Sequence, residues 1–447
     1  MKARLLLVFC FIAACVFFPL TVEASDVEIR VGLTRNFNNR TSVEVRNTRI
    51  IVGYGTPNGF LPVGDVLPGG SFTVTLSGGV LTIQGTGGTS YRFTNLGAPQ
   101  IKAVPGDFIL LESSSYRGRI EFRISGSNFT AINVISIEEY LYGVLPSEMP
   151  HSWHMQALMA QAVAARTFAY NRVVTAGHSA RGFDICDSTH CQLYEGTARE
   201  HANTTQAVRN TSGLMLFHGG RPIMANYFSS SGGATENSED VWFEARPYLR
   251  SVPEIYEVEP LIWTRSVTWA QLTYAANRIG ANIGSVIGFQ ISGTNINGRV
   301  TEITLHGTNG TRSLIRDPLR TFFSPIGGAL PSRWFKLDGD VVEPSIVSVT
   351  DGISVFDAPL NQLFVLNAQG YLEAIQTGFA YDGEVSSQLH DTHTVLKGGD
   401  GITIHGRGWG HGVGMSQRGA YGMARLGFGF MEILRHYYTG VEIRRLN

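Results

Sequence analysis

The chain has 447 residues, a formal net charge of −1 and only 16% charged residues. This length allows two or three domains, each with a hydrophobic core of its own. Because no basic run or acidic tail is present, the charge pattern argues against nucleic acid or an anionic membrane surface as the partner.

The N-terminus predicts an export signal. Lys2 and Arg4 precede an apolar run from Leu5 to about Leu20, and an A-x-A-like cleavage site follows at 22–24. A retained membrane anchor, or a lipoprotein box that ends at Cys15, are the alternatives. All three interpretations make residues 1–24 a leader and place the rest of the chain outside the cytoplasmic membrane, either secreted or membrane-anchored.

Residues 25–105 are predicted to form an accessory β-rich module. Apolar and polar residues alternate over 72–76 and again over 81–83, with a Gly78-Gly79 turn between the two runs. The segment between Asp65 and Tyr91 carries no charged residue, so we expect no catalytic group there.

Residues 106–447 are predicted as one catalytic region of mixed, β-rich α+β structure. A long helix is expected from about Trp153 to Thr175, and its Ala-rich centre AQAVAAR is typical of a buried helix. Inserted β-hairpins are expected at about 341–397, with one turn at Asp351-Gly352. A strand around 402–404 and a helix over about 417–438, broken near Gly427 and Gly429, complete the region.

Glu148 lies between Pro146 and Pro150 in the segment YLYGVLPSEMP. We expect a short loop that carries Glu148 directly before the long helix. Helix N-terminal amides would favour the charged carboxylate there, and burial would favour the protonated form. Such a balance suits a general acid/base, although a simple helix cap is the alternative.

Arg166 lies at the end of AQAVAAR. A guanidinium inside an Ala-rich helix requires a partner if it is buried, so Arg166 either belongs to a catalytic cleft or forms a structural salt bridge.

Two thiols and two imidazoles occur close together in HSARGFDICDSTHC. His178, Cys186, His190 and Cys191 are a complete set of donors for a tetrahedral zinc ion. A disulfide between the cysteines, with unrelated histidines, is the alternative.

Two further segments can approach a flat polar ligand. YFSSSGGAT offers hydroxyls and bare amides at 229–231, and the glycine-rich HGRGWGHGVGMSQRGA contains His411 and Gln417. The spacing G-x-G-x-x-G is never completed, so a dinucleotide site is not expected, and neither is any organic cofactor.

Together these segments resemble the SpoIID/LytB family, named for the stage II sporulation protein D and the amidase enhancer LytB. The matching pieces are EEYLYGVLPSEMP, LMAQAVAARTFA, DSTHCQLYEG, YFSSSGGATENSEDVW, GRGWGHGVGMSQRGAYGMARLGF and ILRHYYTGV. They occur in the family's order and span roughly Tyr116 to Asn447, without the hairpin insertion.

The resemblance implies a lytic transglycosylase that acts on peptidoglycan, preferring glycan strands stripped of stem peptides and leaving 1,6-anhydro-MurNAc ends. It makes Glu148 the acid/base and Arg166 a residue that lines or orders the cleft. It also implies one structural zinc ion on His178, Cys186, His190 and Cys191, with His178 the least secure ligand. The candidate substrate-binding residues in the matched motifs are Gln192, Tyr194, Ser229, Ser230, Ser231, His411 and Gln417.

Two alternatives stay open. The chain could be a non-catalytic peptidoglycan-binding enhancer of a cell-wall amidase, as LytB is described. Five acidic residues also lie in the matched motifs, so hydrolysis by a carboxylate pair is conceivable; they are Asp184, Asp187, Glu236, Glu239 and Asp240. The family implies a role in cell-wall remodelling, with sporulation as one setting.

Overall fold

The computed structural model describes residues 27–338 and 399–446, apart from 47–48, 58, 95–97 and 258, together with five backbone strands between 346 and 396. The leader predicted at residues 1–24 lies outside the described residues. The structure is 24% helix and 38% strand and has several sheets, which confirms the predicted β-rich α+β class. None of the helices in the described part of the chain combines the length and the apolar character that a membrane crossing requires.

The first part of the chain forms two antiparallel sheets. Its strands are β1 (Glu28–Gly32), β2 (Ser42–Arg46), β3 (Ile50–Thr56), β4 (Gly59–Pro62), β5 (Phe72–Ser77), β6 (Val80–Gly85), β7 (Ser90–Thr94), β8 (Ala98–Ala103), β9 (Ile109–Leu111), β10 (Ser114–Tyr116), β11 (Arg119–Ser125) and β12 (Asn128–Ser136). The predicted hairpin at the Gly78-Gly79 turn is confirmed, because β5 and β6 pair from Phe72↔Gly85 to Ser77↔Val80. The apolar side chains at 72, 74 and 76 are all buried, as their alternation predicts.

The predicted boundary near residue 105 does not separate two cores. A later strand, β13 (Ile185–Cys186), joins the larger sheet, whose order is β13-β1-β12-β11-β8-β3-β4. Strands from both sides of the boundary therefore belong to one sheet, where β1 pairs with β12 and β8 pairs with β11. A single hydrophobic cluster runs from Ile29 to Tyr438. The N-terminal strands thus form one wall of the core that also holds the helices.

Two helices follow β12 and cross this core. Helix α1 spans Ile137–Glu148, and Ser136 caps its N-terminus by accepting the Glu139 N–H through its side chain. Helix α2 spans Met155–Val174, close to the predicted limits, and the alanines of its centre are fully buried. The expectation that Glu148 would lie in a loop leading into the long helix is wrong, because Glu148 is the last residue of α1 and α2 begins at Met155. Pro146 is tolerated in the final turn of α1.

The segment after α2 connects the two sheets to a second body. It contains α3 (Ala202–Asn210), β14 (Leu214–His218), β15 (Arg221–Pro222), β16 (Tyr227–Phe228) and α4 (Ser238–Val241). The second body has its own hydrophobic cluster and contains β17 (Ile262–Thr268), α5 (Trp269–Arg278), β18 (Val286–Thr294), β19 (Val300–Gly307), β20 (Gly310–Ile315), α6 (Asp317–Thr321) and β21 (Phe335–Leu337). The predicted single region 106–447 therefore holds residues of two cores.

A buried charge cluster joins the second body to the connecting segment. Glu236 is fully buried, and its carboxylate contacts Arg299 Nε at 2.9 Å and Arg333 Nη2 at 2.7 Å. One carboxylate between two buried arginines is strongly constrained in position, because an unpaired charge there would be costly.

The inserted segment contains β22 (Ile346–Thr350), β23 (Val355–Pro359), β24 (Phe364–Leu366), β25 (Leu372–Ala374) and β26 (His393–Leu396). Two strand pairs, β22 with β23 and β24 with β25, confirm the predicted hairpin character. The predicted turn at Asp351-Gly352 lies outside the described residues. β26 pairs with β18, so the insertion also extends the sheet of the second body.

The C-terminal segment first completes the second body and then returns to the first core. It begins with β27 (Gly401–Arg407), which pairs with β17 and β21. It continues with β28 (Met415–Ser416), α7 (Gln417–Arg425), α8 (Phe430–Tyr437) and β29 (Glu442–Arg445). The predicted strand and the predicted helix break near Gly427 and Gly429 are both confirmed. Tyr437 of α8 donates a 2.5 Å hydrogen bond to the buried Glu254 carboxylate. Burial raises the pKa of Glu254 to about 8.

Glu254 makes the stability of the fold depend on pH. Because its folded-state pKa is raised, the native state binds more protons than the unfolded chain between the two pKa values, so stability falls as pH rises from about 5 to about 8. We expect Glu254→Gln to reduce this fall in the free energy of unfolding, measured by urea denaturation at several pH values. The exposed Glu442→Gln is the control and should leave the slope unchanged. An unaltered slope in Glu254→Gln would contradict the assignment.

Candidate functional site

The carboxylate of Glu148 lies at the C-terminal end of α1. Oε1 accepts the backbone N–H of Leu193 at 3.0 Å, and Oε2 lies 3.5 Å from Nε2 of Gln417. Glu148 lies at the negative end of α1, and its backbone donor, Leu193, does not belong to a helix, so the expected stabilisation by N-terminal amides of the long helix is wrong. The donors come instead from two distant segments of the chain.

Burial is the main influence on the acidity of Glu148. It raises the pKa of the carboxyl above the ordinary glutamate value, while the hydrogen bonds from Leu193 and Gln417 oppose that rise. Glu148 nevertheless keeps partial contact with solvent. A partly exposed carboxyl with a raised pKa can donate a proton to a bound molecule and take one back.

Gln192 and Tyr194 hold the segment that presents the Leu193 N–H. Both were predicted to bind substrate, but both side chains are buried. Gln192 accepts a hydrogen bond from the Tyr140 hydroxyl and donates to the Ala165 carbonyl, while the Tyr194 hydroxyl donates to Asn133. These bonds fix the backbone on each side of Leu193, so the two residues act by positioning.

Tyr227 is a site residue that sequence reasoning did not select. Its hydroxyl accepts a 3.0 Å hydrogen bond from Nε2 of Gln192, and its side chain is partly exposed. Burial is the larger cause that raises its pKa, and the nearby charge of Glu148 adds to it. The only sequence signal was its place at the start of the YFSSSGG motif.

A short parallel pairing brings Tyr227 and Gln417 together. β16 pairs with β28 in the register Tyr227↔Met415 and Phe228↔Ser416. Gly414 makes this approach possible, because it has a φ of 79° and an added Cβ would lie 2.0 Å from the Asn226 carbonyl oxygen. The glycine-rich loop is therefore required for the close contact of two backbones.

The serines of the SSS run differ in position. Ser230 and Ser231 are buried, which contradicts their expected exposure to a ligand. Ser230 Oγ accepts the Leu261 N–H, and Ser231 Oγ donates to the Glu257 carboxylate. Ser229 is partly exposed, and its carbonyl accepts the N–H of Arg418 beside Gln417. Of the three, Ser229 alone keeps a position from which it can meet a ligand at this site.

His411 and Gln417 also separate. The His411 ring packs against Phe228 and Trp242, with centroid distances of 5.6 and 5.0 Å, and its Nδ1 accepts the Val413 N–H. Burial lowers the pKa of His411 to about 3, so the ring is neutral at physiological pH. The contacts of His411 match the packing alternative, whereas Gln417 faces Glu148 directly.

Arg166 does not line the site. Its side chain is completely buried and forms a bidentate ion pair with Glu138, with bonds of 2.7 and 2.8 Å. The guanidinium also donates to the Val208 and Leu214 carbonyls. Glu138 lies in the first turn of α1, and Glu148 ends the same helix, so Arg166 orders the site through α1.

The acidic residues considered as a second carboxylate each have other partners. Glu236 pairs with Arg299 and Arg333, Glu239 pairs with Arg250, Asp184 accepts the Arg30 N–H, Asp187 accepts the Thr34 N–H, and Asp240 accepts from Asn237. The partners of Glu148, Leu193 and Gln417, differ from the partners of all five acidic residues.

The four candidate metal ligands lie together. One donor atom from each of His178, Cys186, His190 and Cys191 falls within 4.8 Å of the others. His178 Nε2 is 3.2 Å from Cys191 Sγ, so the least secure ligand belongs to the group. The two thiols are not joined by a disulfide, and the hydrogen bond between them lowers the pKa of Cys186. Such mixed sulfur and nitrogen donors at these separations fit a tetrahedral zinc ion.

Comparison with known proteins identifies the family. Residues 125–218, which include Glu148, Arg166 and the metal-ligand cluster, match SpoIID, described as Stage II sporulation protein. The chain is 31% identical to an uncharacterized protein of Brachyspira hyodysenteriae, over 75% of this chain and 74% of that protein. The chain belongs to the SpoIID family.

Two relatives from Bacillus subtilis carry functional names. Stage II sporulation protein D is 28% identical over 70% of this chain and 76% of its own length. Amidase enhancer is 30% identical over 68% of this chain but only 40% of its own length. The family is thus linked by these names to sporulation and to the enhancement of an amidase.

The Arg166–Glu138 pair predicts a large effect on stability. We expect Arg166→Met to lower the free energy of unfolding by about 3–5 kcal/mol, because it leaves a carboxylate buried without its partner. Adding Glu138→Gln should recover part of that loss. Urea denaturation measures both changes, with the exposed Arg209→Met as the control. A loss no larger than that of the control would show that the pair is not essential to the fold.

Proposed function

We propose that this chain is a peptidoglycan lytic transglycosylase that cleaves the bond between N-acetylmuramic acid and N-acetylglucosamine, with Glu148 as its single acid/base. The observation that carries the proposal is the partly exposed Glu148 carboxyl, whose pKa is raised by burial and which is held by Leu193 and Gln417. Membership of the SpoIID family and the link of that family to cell-wall remodelling support it.

The reaction needs one carboxyl group in two states. Protonated Glu148 donates its proton to the glycosidic oxygen as the bond from C1 of the muramic acid to that oxygen breaks. The resulting carboxylate takes the proton of the muramic 6-hydroxyl, whose oxygen then bonds to C1 and closes the 1,6-anhydro ring. No water is consumed, so the second carboxylate of an ordinary glycosidase is unnecessary.

The surrounding groups assist at both stages. The Leu193 N–H and the Gln417 amide stabilise the carboxylate after the first proton transfer, since they donate to its two oxygens. The Tyr227 hydroxyl, already accepting from Gln192, is oriented with its proton available to a sugar oxygen.

Zinc is proposed as a structural ion of the same region. His178, Cys186, His190 and Cys191 would hold it, and it would crosslink the segment that precedes Gln192. Because Gln192 bonds to both Tyr140 and Tyr227, the ion would stabilise the wall that presents the Leu193 N–H.

A non-catalytic amidase enhancer is the second candidate. The relative of that name supports it, with 30% identity over 68% of this chain. In that case Glu148 would contribute to glycan binding, and a cell-wall amidase would be the partner. Either role requires that residues 25–447 lie outside the cytoplasmic membrane, where peptidoglycan is located.

Glu148→Gln tests the chemistry. We expect this change to abolish the cleavage of peptide-free glycan strands, because an amide cannot donate the required proton, while folding and glycan binding persist. Mass spectrometry of the products, which should carry 1,6-anhydro ends with the unaltered protein, measures cleavage. Glu139→Gln at the other end of α1 is the matched control. Comparable turnover by the Glu148 variant would refute the mechanism, and no turnover by the unaltered protein would favour the enhancer.

The metal proposal predicts about one zinc ion per chain. We expect the double change Cys186→Ser and Cys191→Ser to lose the ion and lower the melting temperature, because structural zinc binding contributes directly to folding. Metal analysis and thermal unfolding measure the two effects. His151→Ala, a histidine outside the cluster, is the control and should keep the ion. A metal-free protein without free thiols would support the disulfide instead.

A further inference from the structure

Two aromatic rings stack at the surface beside Glu148. The Trp153 indole and the Tyr421 ring have centroids 4.7 Å apart and planes inclined by only 16°. Trp153 belongs to the turn between α1 and α2, and Tyr421 belongs to α7. Both side chains remain partly exposed, so the pair presents apolar surface to the solvent.

The position of this pair follows from contacts already described. Trp153 comes five residues after Glu148, and its backbone N–H donates to the Pro150 carbonyl, which keeps the turn compact. Tyr421 lies four residues after Gln417, whose amide faces Glu148. Residues four apart on a helix lie on the same side, so the aromatic pair is about one helical turn, or ~5.4 Å, from the Glu148 contact.

A cation continues the same side of α7. Arg425 is exposed, comes four residues after Tyr421 and has its guanidinium carbon 5.8 Å from the centre of the Tyr421 ring. Within the described part of the chain, no carboxylate forms an ion pair with it. Gln417, Tyr421 and Arg425 therefore follow one another at intervals of about one helical turn. This interval is close to the length of one pyranose in a β-1,4-linked glycan.

We propose that Trp153, Tyr421 and Arg425 form a saccharide subsite that takes a pyranose bearing a free carboxylate. The C–H face of a sugar ring packs on an aromatic ring, and a guanidinium binds a carboxylate through charge-assisted hydrogen bonds. Resting on the proposed function, the inference assigns that carboxylate to the lactyl group of muramic acid. An attached stem peptide converts this group into an uncharged amide, so Arg425 distinguishes peptide-free strands from substituted ones.

Binding measurements in a Glu148→Gln background test the subsite without cleavage. The probes are a peptide-free glycan that contains muramic acid and a chitooligosaccharide of the same length, which has no carboxylate. We expect Tyr421→Ala to weaken the binding of both probes about tenfold, and Tyr421→Phe, which keeps the ring, to bind both normally. Arg425→Gln should weaken only the muramic-acid probe, and this loss should shrink at high salt.

Helix α5 offers a matched control. Tyr274 and Arg278 have the same four-residue spacing and are both exposed, but they belong to the second body. Tyr274→Ala and Arg278→Gln should leave both affinities unchanged. Melting temperatures identify any variant that fails to fold, and Arg425→Gln changes an exposed side chain while the Tyr421 ring stays in place.

The outcomes separate this inference from the proposed function. Unchanged affinity in Tyr421→Ala would overturn the aromatic platform and leave the ring pair as a packing contact between α7 and the α1–α2 turn. An equal loss for both probes in Arg425→Gln would overturn the carboxylate assignment. Absence of cleavage by the unaltered protein would refute the lytic activity alone, because binding is measured on protein that does not cleave.

Discussion

The ion pair between Arg166 and Glu138 connects the two helices on which the site is built. Burial of both charges is costly, and the cost is offset only because every strong donor and acceptor finds a partner. The guanidinium bonds to the carbonyls of Val208 and Leu214, and the Glu138 carboxylate also accepts the Gly213 N–H at 3.1 Å. The end of α3 and the start of β14 are therefore drawn to the same point. With the first turn of α1 fixed in this way, its last residue, Glu148, has a defined place.

The hydrogen bonds to the Glu148 carboxylate come from one backbone N–H and one side-chain amide, both of which are uncharged. No arginine or lysine of the described residues pairs with this carboxylate, so its pKa is set by burial against two neutral donors. A cation at the same place would favour the charged carboxylate and lower its pKa. The buried side chains of Gln192 and Tyr194 fix the position of the Leu193 N–H. Because this N–H lowers the pKa of Glu148 and burial raises it, a mobile N–H would make that pKa variable.

The sequence predicted correctly those helices and strands that are encoded by residues close together in the chain. The β5–β6 hairpin, the length of α2 and the break between α7 and α8 all depend on alternation, on alanine or on glycine within a few residues. Helix α1 was missed because Pro146 and the motif around it indicate a loop, whereas the Ser136 cap and the Glu138 ion pair stabilise a helix up to Glu148. The boundary near residue 105 was predicted because strand patterns do not reveal which sheet a strand joins.

The candidate site was predicted in part, and the errors have a common cause. The matched motifs selected Glu148, Gln417 and the four candidate metal ligands, and the fold brings Gln417 to Glu148 and the four candidate ligands to one another. Ser230, Ser231, Gln192 and Tyr194 lie in equally matched motifs, but their polar groups satisfy other buried groups. A family motif contains residues that face a ligand together with residues that support them, and the motif alone does not show which is which. Only the hydrogen-bond partners make that distinction.

The contact between Gln417 and Glu148 spans 269 residues of sequence. Contacts of such separation are slow to form, because the entropy of closing a long loop must be overcome before they stabilise anything. A growing chain that has already folded its first sheet and both central helices still lacks β28, α7 and the amide that faces Glu148. Full assembly of the centre thus waits for synthesis of the C-terminal residues, and a truncated chain cannot acquire it.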